Sequence, residues 1–232
     1  MKKFGWKPAA LVGLVAVIIV LAVVLIVTGR DAEPSDDLPG IIVPSVQPAT
    51  PVPQPSAQPT PEDTKPPAPE RVTLIGDSIM VAAENALYEY IPNCVVNAKQ
   101  GRQLVEAMDI LYDMEAAGEI YDTVVIGLGS NSPFPIEEGE RVLDFLGEDR
   151  TIYWVTCYGR YLEWQDETND LIYALAEEYD NLHVLNWTEV AEEHSSWIRS
   201  DDGIHLTPEG TVGYARFVAE GIGIDVPDEE EE

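Results

Sequence analysis

Five short runs of apolar, β-prone residues, at 72–75, 94–98, 123–128, 151–156 and 182–187, punctuate the chain after residue 70, and the stretches between them carry helical spacing. Leu104, Met108 and Leu111 recur at the helical period, as do Ile172, Leu175, Ala176 and Tyr179. The runs are continuous rather than alternating, so each strand buries both of its faces. Between helices that pattern dictates a parallel sheet covered on both sides. The expected fold is a single flavodoxin-like three-layer α/β/α domain over residues 71–224, with a five-stranded parallel sheet in the order 2-1-3-4-5.

Sites in such sheets lie beyond the carboxyl ends of the strands, near the switch in strand order. Gly76-Asp77-Ser78 closes the first run and opens a helical one over 79–91, which places a serine hydroxyl at a strand-to-helix turn. Gly101 follows the second run, and Asn131 follows the third in Gly129-Ser130-Asn131. Asp202 and His205 stand three positions apart, just before the helix start signalled by Thr207-Pro208. Each piece alone is ordinary turn chemistry; together, all four candidate positions fall on one edge of the sheet. A serine hydroxyl attacks an ester only when a base takes its proton. Ser78 is therefore the candidate nucleophile and His205 the base, with Asp202 to orient the imidazole and its neighbour Asp201 as the rival for that role.

The remaining histidines lack this context, since His183 sits inside the fifth run and His194 in a polar segment. Three histidines and two separated cysteines give no metal-ligand spacing, so neither a metal nor a cofactor is expected. Gly127-Leu128-Gly129 lacks the Gly-Lys-Ser/Thr ending of a phosphate loop. Cys94 opens the second strand and Cys157 follows the fourth, at opposite ends of a sheet in which those strands are not neighbours. Two buried, reduced thiols are expected rather than a disulfide.

The four blocks, G-D-S-I-M around Ser78, A-K-Q-G-R-Q around Gly101, G-L-G-S-N-S around Asn131 and D-G-I-H-L-T-P-E-G around His205, resemble those of the SGNH (GDSL-like) hydrolase superfamily, named for Ser, Gly, Asn and His. Within it they are most similar to the extracytoplasmic domain of bacterial peptidoglycan O-acetyltransferases. The resemblance covers residues 71 to about 220. It implies an acyl-serine mechanism in which the backbone N–H of Ser78, the N–H of Gly101 and the side-chain amide of Asn131 face the developing oxyanion. Ser132 departs from the pattern, standing where those acetyltransferases usually carry Gly and many SGNH hydrolases carry Asp.

The residues ahead of the domain concern location. Residues 9–28 are uncharged and apolar, enough for one transmembrane helix of about 30 Å. Lys2, Lys3 and Lys7 in the basic segment 1–8 precede it, and Asp31, Glu33, Asp36 and Asp37 follow, so the amino terminus is expected in the cytoplasm and the domain outside. Twelve of the 18 prolines lie between residues 31 and 70, a composition that builds no core and reads as an extended, disordered stalk over 29–70. At ~3.1 Å per residue it reaches up to ~120 Å. From residue 71 on, 8 Lys and Arg face 35 Asp and Glu, a surface that repels nucleic acid and anionic lipid headgroups, and residues 225–232 read as a solvated acidic tail.

A single-pass, membrane-anchored extracytoplasmic serine acyl-ester enzyme is the resulting expectation, with cell-wall glycan as substrate and O-acetyl transfer as the reaction. An acetyl donor would come from a separate membrane protein, because this chain carries one span. An SGNH acetyl or carbohydrate esterase is the alternative. A stalked wall-binding module without activity is the reading from another class.

Overall fold

The computed structural model describes residues 68–227. The expected membrane span, the stalk up to residue 67 and residues 228–232 of the acidic tail lie outside the described residues. Among the described residues no helix is long and apolar enough to cross a membrane.

Five parallel strands, β1 (Val72–Gly76), β2 (Cys94–Ala98), β3 (Thr123–Gly127), β4 (Thr151–Val155) and β5 (Leu182–Leu185), pair in the order β2-β1-β3-β4-β5. Among the described residues six α-helices connect and follow them: α1 (Ser78–Tyr90), α2 (Ala107–Ala117), α3 (Ile136–Leu146), α4 (Gln165–Glu178), α5 (Trp187–Glu193) and α6 (Pro208–Gly221). This is the doubly wound order expected from the apolar runs.

Two cores flank the sheet, and the two-residue period of the strands sorts side chains between them. On β4, Ile152 and Trp154 join the core beneath α2, α3 and α4, while Tyr153 and Val155 join the one beneath α1, α5 and α6. On β3, Val124 and Ile126 go one way and Val125 the other. Strands β1 and β3 are buried almost throughout, which is why their sequence runs show no polar alternation. Each fully buried aliphatic side chain here contributes roughly 1.5–3 kcal/mol. The buried indole of Trp154 is satisfied by donating to the Leu128 carbonyl at 3.0 Å.

Strand ends differ from the sequence expectation by one or two residues. The fifth run was expected to extend through residue 187, but Asn186 turns the chain, its side chain accepts from the Glu189 N–H, and Trp187 begins α5. Helix α3, whose apolar stripe of Val142, Leu143 and Leu146 is separated by acidic residues, starts after Pro135. Gly76 matters for close approach, because a Cβ there would lie 2.5 Å from the Met80 side chain where α1 passes over β1. Cys94 and Cys157 are both free thiols; Cys157 is buried as expected, but Cys94 is only half-buried because β2 is an edge strand.

Candidate active site

Strand β1 ends at Gly76, and one residue later the chain is helical. Asp77 makes that turn: its backbone is extended and its Oδ1 accepts the N–H of Ile79 at 2.9 Å, capping α1. Ser78 is thus the first helical residue, with its N–H free of any intrahelical partner. The segment between β5 and α6 returns to this point. An antiparallel bridge pairs Ile198 with Leu206, the Arg199 N–H donates to the His205 carbonyl at 2.8 Å, and Thr207 caps α6 through the Gly210 N–H at 3.1 Å. His205 is held immediately before that cap.

The structure brings the three expected residues together. His205 Nε2 lies 3.0 Å from Ser78 Oγ, and its Nδ1 lies 3.1 Å from Asp202 Oδ2. The other oxygen of Asp202 accepts from the N–H groups of Ile204 at 3.0 Å and His205 at 2.9 Å. Burial alone would raise the Asp202 pKa, but these two backbone N–H groups and the imidazole outweigh it and bring the value down to about 2. An ionised Asp202 can only accept, so Nδ1 carries the proton and Nε2 presents its lone pair to the serine hydroxyl. Asp201, the rival, is exposed and engages Arg199 through both oxygens, at 3.0 and 2.5 Å.

Gly101 lies across from Ser78, on the loop after β2. Its φ of 72° is left-handed, a conformation that favours glycine, and no atom would meet a Cβ there, so conformation rather than space selects the residue. Its N–H has no hydrogen-bond partner among the described residues. Asn131, after β3, reaches the same place, and its Nδ2 donates to Asp77 Oδ2 at 3.1 Å and to the Arg102 carbonyl at 3.3 Å. Ser78, Gln100, Gly101, Asn131, Arg199, Asp202 and His205 line one open depression of about 440 Å³.

Two buried charges beneath the site carried no assignment in the sequence reading. Asp77 is 1% exposed and Arg102 is 5% exposed. The guanidinium of Arg102 donates to the Gly76 carbonyl at 3.2 Å, to the Asn97 carbonyl and to Asn97 Oδ1 at 2.8 Å, tying the Gly101 loop to the strand that presents Ser78. Both residues stand in the blocks quoted above, but a sequence does not reveal that a charge is buried. The other histidines lie apart from the site residues: His183 is exposed on β5 beside Tyr153, and His194 stacks on Trp197 with ring centroids 4.0 Å apart.

Burial pushes Asp77 up to about 6, against the N–H of Ile79, the Ser130 side chain, the nearby imidazole and the Asn131 amide, all of which favour its charge. Between its ordinary value near 4 and about 6, the folded protein holds a proton that the unfolded chain has released, so stability falls as pH rises through that window. For this group the loss is about 3 kcal/mol. Asp202 behaves oppositely: its contribution is present above about pH 4 and is lost only as pH falls toward about 2. The melting temperature is therefore expected to rise when pH is lowered from about 7.5 to about 5. The rise should be smaller in Asp77→Asn, which cannot titrate, and an equal rise in that variant would show that Asp77 is not its source.

A strand-to-helix serine, a histidine within reach and a carboxylate behind it, set on a 2-1-3-4-5 parallel sheet, have the geometry that nucleophilic attack by a serine hydroxyl requires. No family model matches the chain. The O-acetyltransferase OatA of Staphylococcus aureus (strain NCTC 8325 / PS 47) is 34% identical to it over 142 residues, which cover 60% of this chain and 23% of that protein. The chain thus spans about a quarter of the length of the curated relatives it matches. Among solved structures, the C-terminal catalytic domain of Streptococcus pneumoniae peptidoglycan O-acetyltransferase A (OatA) superposes with a TM-score of 0.59 at 23% identity, over 67% of this chain and 93% of that one. A candidate SGNH hydrolase from Slackia heliotrinireducens does so with a TM-score of 0.53 at 16% identity, over 66% and 98%. The chain shares the fold of these SGNH-type structures. In sequence it is similar to proteins named O-acetyltransferase OatA and peptidoglycan O-acetyltransferase OatA.

Proposed function

We propose that this protein is an O-acetyltransferase that modifies cell-wall glycan through an acyl-serine intermediate. The observation that carries the reading is the relay from Ser78 through His205 to Asp202, with contacts of 3.0 and 3.1 Å. The similarity to peptidoglycan O-acetyltransferases supports the choice of acyl group and acceptor.

Each residue then has a defined task. As Ser78 Oγ bonds to the acetyl carbonyl carbon, its proton passes to His205 Nε2, and Asp202 stabilises the imidazolium that results. The tetrahedral oxyanion is received by the N–H groups of Ser78 and Gly101, with the Asn131 amide as the third donor; removing one such donor costs about 3 kcal/mol. Collapse expels the donor's oxygen, which takes the proton from Nε2 and leaves acetyl-Ser78. A sugar hydroxyl next gives its proton to Nε2 while attacking the acetyl carbon, and Ser78 departs with that proton restored. Water in place of the sugar gives hydrolysis, so esterase and transferase differ only in the second acceptor.

The anchor and stalk fit this task. Residues 9–28 would hold the chain in the cell membrane with the catalytic domain outside, beside a membrane protein that exports acetyl groups, and residues 29–70 would give it reach into the wall. Deletion of the gene is expected to lower glycan O-acetylation, with recovery only when both Ser78 and the span are intact. A rise in O-acetylation on deletion would identify an esterase and overturn the assignment.

A further inference from the structure

The side-chain nitrogen of Asn131 carries two hydrogens, and the structure engages both. One points to Asp77 Oδ2 at 3.1 Å and the other to the Arg102 carbonyl at 3.3 Å. The acceptors are unequal. Asp77 is a buried carboxylate whose other oxygen is fixed by the Ile79 N–H at 2.9 Å, so it cannot swing away. The Arg102 carbonyl is neutral and lies beyond the usual 2.7–3.2 Å range. A hydrogen bond to a charged acceptor is roughly twice as strong as one between neutral groups.

We propose that Asp77 is a positioning residue that clamps the Asn131 amide from behind, so that its second N–H leaves the Arg102 carbonyl and turns to the oxyanion as that charge develops. Asp77 thereby does two things at once, starting the helix that presents Ser78 and aiming the third oxyanion donor. The exchange is favourable because a neutral acceptor at long range is traded for a charged one. Arg102 keeps its carbonyl in place, since its guanidinium is bonded to Gly76 and Asn97 on the two neighbouring strands. No proton changes owner in this step; only the acceptor of one N–H changes. The inference rests on the acyl-ester reading for its catalytic consequence but not for its geometry.

The test compares the full-length protein in detergent with Asp77→Asn, Asn131→Ala and the double variant, using an activated acetyl ester. Asparagine caps helices as well as aspartate, so α1 is retained, but its own amide cannot accept at both positions. Asp77→Asn is expected to lower kcat about 100-fold while KM stays within about twofold, the signature of a lost transition-state donor. Asn131→Ala should do the same, and the double variant should be no slower than Asn131→Ala alone. Should Asp77→Asn not fold, Asp77→Ser, which keeps a capping oxygen too short to reach Asn131, is expected to give the same loss. Additive effects, or a full rate in either Asp77 variant, would overturn the proposal.

A second measurement separates this idea from the enzyme assignment. The Asn131 side-chain amide resonances are expected to move in Asp77→Asn, and unchanged resonances would reject the clamp whatever the activity. If the resonances move but the wild type turns over no acyl ester, the clamp stands and the acyl-ester reading fails.

Discussion

Ser78→Ala is expected to lower turnover of an activated acetyl ester by about five orders of magnitude or more and to abolish covalent labelling by a fluorophosphonate probe. Loss on this scale follows from chemistry rather than folding. The hydroxyl is 3.0 Å from His205 Nε2, and helix α1 is capped by Asp77, so removal of one oxygen at the first helical position leaves both the cap and the core intact. The melting temperature should therefore change little while the reaction stops. His205 then has no hydroxyl to deprotonate, and what remains is the modest rate that donors at an oxyanion site supply to attack by water. Turnover that persists in Ser78→Ala, or labelling that moves to another residue, would show that the nucleophile lies elsewhere.

The sheet was legible because burial on both faces leaves a direct mark: β1 and β3 admit almost nothing polar except threonine, and Thr73 hides its hydroxyl against the Glu119 carbonyl at 2.7 Å. The strand order followed from the same runs, since helices on both faces and right-handed crossovers leave few arrangements. Boundaries were harder. Trp187 prolongs the apolar run in sequence, yet the Asn186 cap before it decides the conformation, and a cap depends on where its side chain can reach.

At the site, Ser78, Asp202 and His205 could be read in advance because each follows a strand or precedes a helix, where a doubly wound fold collects its chemistry. Asp77 and Arg102 could not. Nothing in Gly76-Asp77-Ser78 says that the carboxylate is 1% exposed rather than a solvated cap, and nothing in residues 98–103 says that the arginine turns inward to hold two strands together. The partners of Asn131 were hidden for the same reason, as both belong to segments distant in sequence that the fold alone makes neighbours. The polar framework under a site is a long-range property, whereas the candidate Ser, His and Asp set is marked by local turns.

Of the adjacent carboxylates that spacing left open, Asp202 is the one in contact with the His205 ring. Asp202→Asn is expected to lower kcat by about four orders of magnitude, because an amide opposite Nδ1 can stabilise the wrong tautomer and cannot balance the imidazolium. Asp201→Asn should change kcat by no more than about threefold, since an exposed ion pair with Arg199 contributes little. That small effect has a stated direction. Arg199 Nε already stands 3.7 Å from Asp202 Oδ2, and once Asp201 is neutral the guanidinium is drawn further toward Asp202, competing with His205 for the same oxygen. A combined Arg199→Ala and Asp201→Asn variant should accordingly recover whatever rate Asp201→Asn loses. Kinetics of the three variants on one acetyl ester decide the matter: a loss at Asp201 equal to that at Asp202 would mean that the carboxylate behind His205 has been misassigned.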